Sequence, residues 1–222
     1  MDGGDRMTRE PAVLLATGVV LLAWSGIGPY DRTTWVLEVF PIGLAVPVLG
    51  WTRARFRLTP LAYRLIFIHA VILMLGGHYS YARVPLGFWI QNLFGFARNH
   101  YDRIGHLAQG FIPAILAREI LLRNTPLRRG AWLFVIVTCV CLSVSVFYEF
   151  IEWWSALIGG SAAEEFLGTQ GDPWDTQWDM FMAWMGAMAA QLLLARVHDA
   201  QLAELSPAGR TDAEEFFPGA GD

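Results

Sequence analysis

The sequence predicts an all-α fold, a polytopic membrane helical bundle with about six transmembrane helices. Three observations predict it. Of the 222 residues, 55% are hydrophobic and only 16% charged, where a soluble domain carries roughly a quarter charged residues. Six apolar stretches approach the length of about 20 residues that a helix needs to cross a bilayer. The arginines between those stretches are distributed unequally, as cytoplasmic retention of basic loops requires.

The first span is expected at 11–29, where Arg6 and Arg9 precede an apolar run that is long for a signal peptide and lacks a small-x-small cleavage site. The second covers 35–51 and the third 61–77, separated by Pro, Gly and Arg punctuation. Gly76-Gly77 reads as a helix end. A less apolar fourth span follows at 104–122, then a long fifth at 131–158 and a sixth at 178–197. Residues 1–198 thus form one six-span membrane domain. Beyond it, 199–222 lacks hydrophobic periodicity and reads as a disordered cytoplasmic tail.

With the N-terminus inside, and counting those named, nine arginines near the span ends fall on the inner side (Arg6, Arg9, Arg53, Arg55, Arg57, Arg123, Arg128, Arg129, Arg196). Four, Arg32, Arg83, Arg98 and Arg103, fall outside. This asymmetry places both termini in the cytoplasm. The last outer loop has no basic residue but contains Glu164, Glu165, Asp172 and Asp175.

Several function classes drop out on composition. A net charge of −4 without a clustered basic face excludes a nucleic-acid partner and leaves membrane lipids as the expected one. All 16 basic residues are arginine, so neither a Schiff-base lysine nor a phosphate-loop lysine exists. Cys139 and Cys141 lie two apart in an apolar run, where small core hydrophobes are the simplest account. Oligomeric state is not legible.

Ionisable groups in spans are costly and mark candidate sites. Under this topology they gather at the outer ends of the helices. Glu38 opens the second span, and His78 and Arg83 follow the third. Asp102, His106 and Gln109 share one helical face, as do Ser145, Glu149 and Glu152, and Asp175 with Asp179 repeats the spacing. The catalytic candidates are therefore Asp102, His106, Glu149, Glu152, Asp175 and Asp179. His78, Arg83, Arg98 and Arg103 are substrate-binding candidates. A divalent cation is the cofactor this chemistry allows, with Asp102, His106, Glu149 and Asp179 as ligands. The plain alternatives are a capping aspartate with a carbonyl-bonded histidine for Asp102 and His106, and a turn and cap for Asp172 to Asp175. Two carboxylates one turn apart in an apolar helix, as in Glu149 and Glu152, repel unless a cation, an arginine or a shared proton intervenes. Trp89, Trp153, Trp154, Trp174 and Trp178 suit an interfacial belt.

The strings GGHYSYARVPLGFW, RNHYDRIGHLAQGFIPA, FYEFIEWW and GDPWDTQWDM resemble the YjdF-like family of bacterial inner-membrane proteins over nearly the whole chain except its tail. That resemblance implies an inner-membrane location and brings no reaction with it. A more distant similarity is to VanZ-like membrane proteins, associated with glycopeptide-antibiotic tolerance, whose order is D-x-x-x-H, E-x-x-Q, D-x-x-x-N. Asp102 and His106 match the first element; Glu152 and Asp179 stand where glutamine and asparagine are expected. Three functions are compatible with these residues: an envelope enzyme acting on lipid or lipid-linked substrates, a small transporter or ion-coupled carrier, and a non-catalytic scaffold or sensor.

Overall fold

The computed structural model describes residues 3–159, 164–167 and 169–205, with side chains from residue 9 onward. The side chains of Glu164 and Glu165, and residues 206–222 of the expected tail, lie outside the described set. Among the described residues all regular structure is helical: α1 (Gly3–Ser25), α2 (Arg32–Thr52), α3 (Pro60–Tyr79), α4 (Pro85–Phe94), α5 (Tyr101–Asn124), α6 (Ala131–Gly159), α7 (Glu164–Leu167) and α8 (Asp175–Leu205), with a 3-10 turn at Tyr81–Arg83 between α3 and α4. The six helices of 20 residues or more, α1, α2, α3, α5, α6 and α8, coincide with the six expected spans. Of these, α2, α3, α6 and α8 are long and apolar enough by composition to cross a membrane.

Local chemistry sets the helix starts. The Asp31 carboxylate accepts from the Thr34 amide at 2.7 Å to cap α2. Thr59 does the same for α3 at the Ala62 amide, ahead of Pro60. Pro85 opens α4, and Gly95 closes it at φ 66°, in the left-handed region that glycine enters without strain. At ten residues α4 is too short to cross a bilayer.

The polar composition of α5 is explained by its position, packed against α3, α6 and α8 with twelve of its residues buried. Its tightest neighbour is α8. A Cβ on Gly110 would run into the Ala183 carbonyl, and one on Gly186 into the Leu107 carbonyl, so the two backbones touch as only small residues allow. Both helices start at the same end of the bundle and run parallel. Below this crossing, Ile112, Ala114 and Ile115 of α5 pack with Leu133, Val137 and Cys141 of α6 and Ala187 and Ala190 of α8.

Two differences from the sequence expectation have clear causes. Gly76-Gly77 does not end α3, which continues to Tyr79. The two glycines instead make room for side chains, Gly76 for the Tyr81 ring and Gly77 for Glu38 and Trp35. At the other end of the chain, α8 carries on past Val197 to Leu205. His198 and Leu202 are buried there, and Gln201 accepts a hydrogen bond from the Leu61 amide at 2.8 Å.

Candidate functional site

The parallel start of α5 and α8 decides where the polar side chains meet. Gly110 lies one turn beyond His106, and Ala183 one turn beyond Asp179. Their close approach therefore sets His106 beside Asp179. The C-terminal half of α6 supplies Glu149 and Glu152 from the other side, and α2 supplies Glu38.

The cluster has two halves joined by one ring. In the aspartate half, Arg98 reaches Asp172 and Asp175, each at 2.9 Å, and donates to the Thr169 carbonyl. Arg103 pairs with Asp175 at 2.7 Å, with Asp172 at 3.3 Å and closely with Asp179. Asp172 also accepts from the Trp174 amide at 2.9 Å, the turn expected of that segment. Arg98 is brought in by the Gly95 turn after α4. Asn99, buried behind it, accepts from the Tyr101 amide and so starts α5 in place of an aspartate cap.

In the glutamate half no arginine among the described residues pairs with Glu149 or Glu152. Glu149 and Glu152 are buried, and Glu149 Oε1 has no hydrogen-bond partner. Ser145 Oγ, one turn along the same face, is fully buried and equally unpartnered. Glu38 accepts from the Tyr148 hydroxyl at 3.3 Å and adjoins Tyr81.

His106 stands between the halves. Its Nε2 faces Asp102 Oδ1 at 3.5 Å and Asp179 Oδ1 at 3.8 Å. Its Nδ1 lies 3.0 Å from Gln109 Oε1 and 3.9 Å from Glu149 Oε1. Two donor sets result, Asp102–His106–Asp179 and His106–Glu149–Glu152, each with its ligand atoms within 4.8 Å of one another. Seven carboxylates (Glu38, Asp102, Glu149, Glu152, Asp172, Asp175, Asp179) thus face two guanidiniums and one imidazole. Buried like charges at such density require a counter-charge, as protons or a bound cation.

The other sequence candidates take different places. His78 Nδ1 lies 3.0 Å from the Ser25 carbonyl, and its ring stacks on Trp24 at 4.7 Å. Arg83 sits 4.1 Å above the Tyr30 ring. Neither belongs to the donor sets. His100, just before α5 and in edge contact with Phe96, is held below the ordinary imidazole range by burial and then by Arg98 and Arg103.

A second buried polar cluster, at the opposite end of the bundle, escaped sequence reasoning. Glu119 of α5 accepts from the Thr59 amide and hydroxyl, from Arg123 and from His198 Nε2, while Arg118 donates to His198 Nδ1 at 2.9 Å. The available signal was the charged pair Arg118-Glu119 in the apolar second half of the fourth span.

Residues 10–200 match a family described as "Predicted membrane protein (DUF2238)". The chain belongs to this family. Among similar curated proteins is the "Inner membrane protein YjdF" of Escherichia coli (strain K12), 48% identical over 198 residues, covering 88% of this chain and 95% of that protein. No solved structure matches. The DUF2238 assignment makes the chain an integral membrane protein and encloses both polar clusters. Glu152 and Asp179 each stand in a donor set with His106.

Proposed function

We propose that this DUF2238 member is a multi-pass protein of the bacterial inner membrane, with both termini cytoplasmic, that acts as an envelope enzyme on a lipid or lipid-linked substrate at the outer leaflet. The observation that carries this is the placement of His106 between two carboxylate groups at one end of the bundle, with Glu149 Oε1 unpartnered. An imidazole bounded on both ring nitrogens by carboxylates can pass a proton from one side to the other. His106 with Glu149 or Glu152 is therefore the acid/base pair, and Asp102 and Asp179 orient the ring.

Two features support a lipid substrate. The arginine asymmetry supports an outward-facing position for this end of the bundle. On the same side, α4 and the turn after it expose Phe88, Trp89, Leu93, Phe94 and Phe96, a surface suited to the interface of the outer leaflet. Arg98 and Arg103 are occupied by Asp172, Asp175 and Asp179, so a phosphate would have to compete with three aspartates for them. That dense pairing favours a second, structural reading for the aspartate half alone: it clamps the starts of α5 and α8.

The test is phospholipid and cell-wall-precursor composition in cells carrying His106→Ala or Glu149→Gln at equal expression. An altered profile with accumulation of one lipid-linked species is expected. Unchanged profiles overturn the enzyme, and a C-terminal reporter active only outside the cytoplasm overturns the orientation.

A further inference from the structure

The two donor sets around His106 are not equivalent. In the aspartate set Asp102 Oδ2 also lacks a hydrogen bond, but Arg103 pairs with Asp179 and lies 3.8 Å from that Oδ2, so a cation is already in place beside it. The glutamate set has no such neighbour among the described pairs, yet it buries two carboxylates one helical turn apart. Glu149 is 6% exposed; Thr176 adjoins its carboxyl group, but its Oε1 accepts no hydrogen bond while lying 3.9 Å from His106 Nδ1. An oxygen so placed has been stripped of water without a protein donor in exchange, a cost that a bound ion would offset.

The imidazole geometry agrees. Gln109 Oε1 lies 3.0 Å from His106 Nδ1. Two ligands each about 2.1 Å from one ion and at right angles are separated by about 3.0 Å. Without an ion Nδ1 donates its hydrogen to Gln109 Oε1; with an ion in place of that hydrogen, the opposite nitrogen, Nε2, carries it and faces Asp102 and Asp179, the carboxylate–histidine arrangement that orients a metal-bound ring.

We infer that a divalent first-row cation binds between His106 Nδ1, Glu149 and Glu152, with Gln109 Oε1 as a further donor and Asp102 orienting the ring. One nitrogen with carboxylate and amide oxygens suits Mn²⁺, Fe²⁺ or Zn²⁺, and the absence of thiolate from the set speaks against Cu(I). The inference rests on the pocket described under the proposed function but not on its acid/base pair, because His106 Nδ1, Glu149 and Glu152 are then ligands and no longer pass a proton; it requires no turnover.

The experiment uses purified full-length protein in detergent, stripped with a chelator and titrated with Mn²⁺ by electron paramagnetic resonance and with Zn²⁺ by competition against a chromophoric chelator. One ion per chain is expected. Glu149→Gln and Glu152→Gln should each weaken binding by at least about tenfold, whereas Asp102→Asn and Asp179→Asn, which face the opposite ring nitrogen, should each weaken it less at unchanged stoichiometry. Gel filtration checks that each variant is folded; if Glu149→Gln is not, Glu152→Gln and the visible spectrum of the Co²⁺-loaded wild type decide, with bands of an imidazole–carboxylate site supporting the inference and their absence overturning it. Failure of the wild type to bind either ion at millimolar concentration overturns it, as does loss of binding in Asp179→Asn with retention in Glu149→Gln. An ion bound without any change in lipid profile retires the enzyme and leaves the cation site standing; a changed profile without an ion does the reverse.

Discussion

The two ends of the bundle each bury a histidine among carboxylates and arginines, and they satisfy it differently. At the end marked by Thr59 and His198, hydrogen bonding closes completely around the ring. Arg118 donates to His198 Nδ1, so Nε2 carries the hydrogen and gives it to Glu119 Oε2 at 3.1 Å. Glu119, fully buried, also takes the Thr59 amide at 3.0 Å, the Thr59 hydroxyl at 2.8 Å and Arg123 at 2.8 Å. Arg118 continues to Asp199 at 2.8 Å, and Arg129 reaches the same carboxylate at 2.9 Å. At the His106 end, the glutamate half leaves Glu149 Oε1 and Ser145 Oγ open. A closed network ties α3, α5 and α8 together and leaves the His198 ring no open nitrogen for a ligand. An open one costs stability on its own and gains it when something binds.

The largest effect tests what the two ends share. Both depend on the α5–α8 crossing, so Gly110→Leu, which drives a side chain into the Ala183 carbonyl, should cost over about 4 kcal/mol and abolish folded protein by gel filtration in detergent. A folded, monodisperse Gly110→Leu protein would mean that neither cluster is held by this contact.

The next two predictions set the ends against each other. Glu119→Ala removes the acceptor shared by His198, Thr59 and Arg123 and should destabilise the protein by about 3–5 kcal/mol, read from thermal unfolding. Glu149→Gln in cation-free protein removes one of two repelling carboxylates and should change stability by less than about 1 kcal/mol, or raise it. Equal losses in the two variants would erase the distinction between a closed and an open end.

Much of the site was legible because helical spacing is a local property. Asp102, His106 and Gln109 share a face by their positions alone, as do Ser145, Glu149 and Glu152, and apolar context made each an expensive residue that needed a reason. The α4 helix was missed although Pro85 and Gly95 bracket it, because its ten residues fall below the span length used to find helices. The Glu119–His198 network was missed because its members lie 79 residues apart and His198 follows the last apolar run.

The sequence by itself determined the membrane class, the long helices, the gathering of ionisable residues around His106 and the family, since composition, apolar run length and short motifs carry all of these. Only the tertiary structure decided how the charges divide. Which carboxylates Arg98 and Arg103 neutralise, and which are left to His106, depends on the rotation and register of α5 against α8 and α6. That register is set by glycine contacts between helices more than 70 residues apart in the chain, a distance at which no spacing rule operates.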